Sequence, residues 1–78
     1  METKPLAALA PGETGVLGRI LLPQRARERL EELGFLPGTP IACRFRAPGG
    51  SPAAYALGGA VFALRMDDAA HIELEGPP

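Results

Sequence analysis

The segment 29–39, Arg-Leu-Glu-Glu-Leu-Gly-Phe-Leu-Pro-Gly-Thr, constrains the fold more than any other part of this chain. It ends a helix, reverses the backbone and launches a strand. Leu30 and Leu33 form the inward face of a helix that stops at Gly34, a residue able to take the left-handed cap conformation without a Cβ clash. Phe35 then falls where a Schellman cap places an apolar side chain, over Leu30 one turn back. Leu36-Pro37-Gly38-Thr39 reads as a type II turn, with proline pre-setting the second position and glycine supplying positive φ at the third. Nothing in this junction is chemically reactive. It is architecture.

The rest of the chain is small enough to belong to one unit. Seventy-eight residues make a single domain, 1–78. A chain of that size buries only about 60% of its unfolded surface, so any partner matters to it. A hydrophobic fraction of 46% separates it from disordered chains, and a net charge of −1 argues against a basic nucleic-acid surface. No apolar run approaches the ~20 residues of a membrane span. Residues 1–5 lack the basic start and apolar stretch of a signal peptide. The single Cys43 excludes an internal disulfide and favours a reducing compartment. The expected location is the cytoplasm.

Periodicity supplies the elements. Leu6 and Leu9, in a short apolar turn, are placed to reach the core. Residues 14–21 read as a first strand, whose Gly15 and Gly18 suggest a bend or a close backbone approach. A helix is expected over 24–33, with Ala26, Leu30 and Leu33 inward and the pairs Arg27–Glu31 and Arg25–Glu28 at helical spacing. Ile41, Cys43 and Phe45 alternate with Ala42, Arg44 and Arg46, so the first three face inward on a second strand. Residues 53–57 and 60–65 form a hairpin around Gly58-Gly59. Pairing Leu57 with Ala60 sets Tyr55 opposite Phe62 and Ala53 opposite Leu64, all on the core face. Asp67 or Asp68 is placed to cap one helical turn. Ile72 and Leu74 alternate with His71, Glu73 and Glu75 in a last strand. The expected core is Leu30, Leu33, Phe35, Ile41, Phe45, Tyr55, Phe62, Leu64 and Ile72. The fold class is mainly β: a small barrel of five to six strands with one α-helix after the first.

This order of elements resembles the FeoA family. The matching residues are Leu6 and Leu9, Gly12, Arg29-Leu30 with Leu33-Gly34-Phe35 and Pro37-Gly38, then Ala47-Pro48 with Gly50 and Pro52. Ala63-Leu64-Arg65, Ala69 or Ala70, Ile72 and Leu74 complete the set. The resemblance implies an SH3-like barrel. It also implies a non-catalytic role in ferrous-iron uptake beside FeoB, a membrane Fe(II) transporter with a cytoplasmic GTPase domain. A similar domain ends the iron-dependent repressors of the diphtheria-toxin-repressor type, so the alternative is a regulatory module of a metal-dependent transcription regulator. This chain has no DNA-binding helix pair, and a free-standing domain is the expectation. Two departures stand out. Ser51 occupies a loop position where the family carries an acidic residue. The outward hairpin positions Ala54, Ala56, Val61 and Ala63 are almost wholly apolar.

Catalysis has little to work with. A triad would need Ser51 or Cys43 with His71, yet Cys43 has inward parity and Ser51 lies between glycine and proline. Replacing Ser51 by alanine is expected to change little. No phosphate-binding loop exists, and the only lysine is Lys4. The reading is no enzyme and no cofactor. His71, Glu73 and Glu75 share a strand face but stand about 7 Å apart at successive positions, too far for one ion on a flat strand. No metal site is expected. Arg44, Arg46 and Arg65 favour simple solvation over a basic patch. That leaves Ala54, Ala56, Val61 and Ala63 as the candidate partner-binding face, for the transporter or a weak homo-oligomer, with neither nucleic acid nor membrane insertion expected. The opposing expectation is that the N-terminal segment around Leu6 and Leu9 folds over that face.

Overall fold

The computed structural model describes residues 3–76, so the outermost residues of the expected 1–78 domain and the start of the segment read against a signal peptide lie outside the described residues. A 3-10 turn, Leu6–Ala8, precedes β1 (Thr14–Ile20), α1 (Gln24–Glu32) and β2 (Pro40–Arg46). Then come β3 (Ala53–Leu57), β4 (Ala60–Leu64), the single-turn α2 (Met66–Ala69) and β5 (Ile72–Leu74). The strands form one antiparallel sheet in the order β4-β3-β2-β1-β5. Five strands with a helix after the first is the mainly β architecture that the sequence implies.

Glycine bends the sheet. Thr14 to Val16 of β1 pair with β2, whereas Leu17 to Ile20 pair with β5, and the register slips between Leu17 and Arg19. A Cβ on Gly18 would lie 3.0 Å from the Glu73 carbonyl oxygen and 3.2 Å from the Leu74 carbonyl carbon. Both neighbours are backbone, so β1 and β5 approach this closely only without a side chain. Arg19 ties the same strands on the outside, its Nε and Nη2 donating to Glu73 Oε1 at 3.2 and 3.1 Å.

The helix ends as its sequence dictates. Gly34 has φ +107°, its N–H donates to the Glu31 carbonyl, and the Phe35 N–H donates to the Leu30 carbonyl, both at 3.0 Å. That is a Schellman cap. Gly38, at φ +87°, completes the following turn with the Thr39 N–H donating to the Leu36 carbonyl. The inward face, however, is rotated from the expected one. Leu30 is the only buried residue of α1, while Leu33 is 47% exposed and Ala26 faces solvent. The inward stripe runs instead through Arg27, Leu30, Glu31 and Gly34. A Cβ at Gly34 would already be 3.3 Å from Leu57 Cδ2, so the bare glycine backbone docks where Leu33 was expected. Arg27 pairs with Glu31 at 3.9 Å, but Glu28 accepts from Gln24 Nε2 rather than pairing with Arg25.

The hairpin has the expected register, Leu57 with Ala60, Tyr55 with Phe62 and Ala53 with Leu64. Tyr55, Phe35, Ile41, Cys43, Ile72, Leu6 and Leu9 are fully buried, and Phe62 and Leu64 pack against them half-covered. Phe62 meets Phe35 edge-on, ring centres 5.4 Å apart. The Tyr55 hydroxyl stands 3.9 Å from Met66 Sδ, and burial, reinforced by the nearby Cys43 thiol and opposed by Arg46, pushes its pKa up from 10.0. A raised pKa means that the folded state holds the phenolic proton more tightly than the unfolded chain. The contribution is therefore complete below about pH 10 and is lost as pH rises through the folded value. The melting temperature is expected to fall above pH ~10, and Tyr55→Phe to flatten that fall; an unchanged alkaline slope would contradict the assignment.

Neither Asp67 nor Asp68 caps α2. Both lie within its first turn, Arg65 occupies the cap position without a side-chain bond, and the Met66 N–H donates to Ser51 Oγ at 3.1 Å. The cap comes from across the loop, where the Ser51–Pro52 peptide is cis. Ser51→Ala is therefore expected to cost about 0.5–2 kcal/mol, the range for losing a helix cap, rather than nothing. Thermal melts of the variant beside the wild type measure it; identical curves would return Ser51 to a passive loop role.

Candidate partner-binding face

One extra residue in β2 creates the site. Cys43 pairs with Tyr55 and Phe45 with Ala54, so Arg44 is inserted without a partner between them. The bulge reverses the parity of everything after it. Phe45, expected in the core, is 59% exposed on the outer face. Arg46, expected outside, swings to the N-terminal side and donates from Nη2 to the carbonyls of Ala7 and Leu9 at 2.7 and 2.8 Å. With Arg46 so engaged, it does not join Arg44 and Arg65 in a basic patch.

The outer face of β2, β3 and β4 thus carries two cross-strand rows. One is Phe45, Ala54 and Ala63; the other is Ala42, Ala56 and Val61. All four sequence-predicted residues lie on it, at different depths. Ala54 is buried at 4% exposure, Ala56 is half-buried, and Val61 (56%) and Ala63 are exposed. Sequence reasoning missed Phe45 and Ala42. Strict alternation placed Phe45 inside, and the bulge announces itself by no glycine or proline. A shallow pocket of about 220 Å³ adjoins the face at Ala42 and Ala56 and is floored by Ile41, Leu57 and the turn glycines 58 and 59.

The N-terminal segment does not cover this surface. Leu6 and Leu9 enter the common core, Pro5 pairs with Glu73, and the Leu74 N–H donates to the Lys4 carbonyl. The segment therefore lies along β5, at the far end of the sheet from β4.

The groups that a triad or a metal would need are dispersed. Cys43 is fully buried, Ser51 Oγ accepts from Met66, and His71 Nδ1 lies 2.8 Å from the Asp67 carbonyl. Glu73 is held by Arg19. Among the described residues no three of His, Cys, Asp and Glu stand close enough to share a metal ion. The geometry offers a surface.

A bent five-stranded sheet, with one helix docked after its first strand, defines a small SH3-like domain. The chain belongs to the FeoA family: the FeoA domain matches residues 4–76. No curated protein sequence matches it. Among solved structures, an iron uptake regulatory protein (FeoA) is 27% identical with a TM-score of 0.80, covering 96% of this chain and 97% of its own. FeoA of Stenotrophomonas maltophilia, solved with zinc and described as an SH3 domain protein and candidate ferrous iron transport activating factor, is 29% identical with a TM-score of 0.79. That match covers 96% of this chain and 91% of the other. A manganese-dependent transcriptional repressor shares the fold at a TM-score of 0.84 and 18% identity, with 96% of this chain covering 41% of the repressor.

Proposed function

We propose that this domain serves ferrous-iron uptake in the cytoplasm as a non-catalytic partner of a membrane Fe(II) transporter of the FeoB type. It docks on the transporter's cytoplasmic region, its GTPase domain included, through the outer face of β2, β3 and β4. Family membership supports the iron-transport setting, and no helix among the described residues is long and apolar enough to cross a membrane. The observation that carries the docking surface is Phe45. An aromatic ring more than half exposed on the same face as Val61, in line with Ala54 and Ala63, is the anchor-and-platform composition of protein interfaces. The face is small, so the contact is weak and rapidly reversible, about 10 μM or looser. The repressor reading draws on the fold shared with a protein 18% identical, and the family match supports the transport reading.

The test replaces the two exposed apolar side chains, Phe45→Asp with Val61→Asp, and leaves the buried Ala54 untouched. The variant is expected to keep the wild-type melt while its binding to the isolated GTPase domain and to the full transporter weakens at least ~10-fold, the scale of losing one hot-spot residue. A folded variant that binds both as tightly as the wild type would exclude this face.

A further inference from the structure

We infer that the open edge of β4 is a self-association surface, on which a second copy of this chain adds its own β4 antiparallel about a two-fold axis. The inference is independent of transporter docking, which uses the face of the sheet and not its edge.

Among the described residues β4 terminates the sheet, with β3 as its only strand neighbour. Both turn residues, Gly58 and Gly59, have positive φ, so the hairpin is a two-residue turn closed by Leu57 and Ala60. That closing pair is hydrogen-bonded, and bonding alternates along the ladder. Ala60, Phe62 and Leu64 therefore direct their backbone groups at β3. Val61 and Ala63 direct two N–H and two C=O groups outward, where they have no partner among the described residues. Natural edges are blunted by lysine, proline, a bulge or an inward charge. Ala-Val-Phe-Ala-Leu has none of these, and its pairing with β3 is unbroken.

The strand is complementary to itself. A two-fold axis through Phe62 sets Val61 opposite Ala63 of the second copy and Ala63 opposite its Val61. The outward groups of the two residues then form four hydrogen bonds, and the larger side chain of each cross pair meets the smaller. Charge permits the arrangement. The nearest charged residue, Arg65, falls opposite the Gly59 turn of the other copy, leaving the two arginines about 20 Å apart along the strands. Two short edges bury well under the ~800 Å² per partner of a stable interface. Association is therefore weak, with a Kd of about 0.1–1 mM. Across the joined edge, each row of outer-face residues runs on into the second copy, doubling the apolar surface on one side.

Sedimentation equilibrium of the full chain from about 10 μM to 1 mM, spanning that Kd range, reads the effect directly. The average mass is expected to climb from monomer toward twice that value. Val61→Pro removes one outward donor without touching the β3 ladder and should stay monomeric throughout. Should circular dichroism show that variant unfolded, Ala63→Lys decides, since it keeps the backbone and sets two like charges ~8 Å apart across the axis. It is expected to weaken association at least 10-fold. Amide spectra add a positional readout: Val61 and Ala63 should shift with concentration, and Leu33 and Leu36 should not. A wild type that remains monomeric at 1 mM, a folded variant that associates like the wild type, or shifts centred on α1 would each overturn the proposal.

Discussion

Leu30→Ala is expected to lower stability by about 2–5 kcal/mol, the range for truncating a buried leucine, out of a total near 5–15 for an ordinary domain. The effect is large because Leu30 is the only side chain by which α1 enters the core. Without it, nine helical residues are held by the Gly34 contact and a Schellman cap. Leu33→Ala is the matched control. It removes the same atoms from the same helix end, but from an exposed position, and should stay within about 0.5 kcal/mol. Urea titrations followed by circular dichroism give both values. Equal losses at the two positions would show that the helix is seated on the face read from the sequence.

Gly18→Ala should be nearly as damaging, about 1–3 kcal/mol or more, by overpacking. Its new methyl would meet backbone atoms of Glu73, Leu74 and Glu75 at 3.0–3.3 Å, and backbone cannot rotate aside as a side chain can. Gly15→Ala separates sterics from glycine's general flexibility. There the added carbon would sit 2.9 Å from Leu74 Cδ1, the end of a side chain that can rotate aside. The melting temperature should therefore drop steeply for position 18 and modestly for 15. A reversed order would mean that the β1–β5 approach is looser than described.

Local chemistry was well written into this sequence. The Schellman cap, the turn at Gly38 and the hairpin register each follow from a glycine at a fixed offset from apolar residues, and such patterns resolve within a few positions. The count of short strands led to a small barrel, and the family resemblance, spread over residues from Leu6 to Leu74, made it SH3-like. What escaped was non-local. Leu33 faces solvent because a glycine, which no hydrophobic pattern counts, makes the inward contact with Leu57. Ser51 caps a helix 15 residues away, a partnership visible only once the loop is folded. Of the proposed binding face, the four hairpin residues were legible from turn parity. Its aromatic residue, Phe45, was not, because the period-2 rule holds only until a residue is inserted.

That inserted residue shows how one pairing can be written at two chain lengths. With Arg44 present, a β2 that ran without the bulge would turn Phe45 into the barrel and Arg46 out to water. With Arg44 deleted, plain alternation from Cys43 would itself set Phe45 opposite Ala54 on the outside and Arg46 opposite Ala53, on the side of the amino-terminal turn that it tethers. A lineage that drops the residue keeps the exposed ring and the tether by running straight, and one that carries it keeps both by bulging.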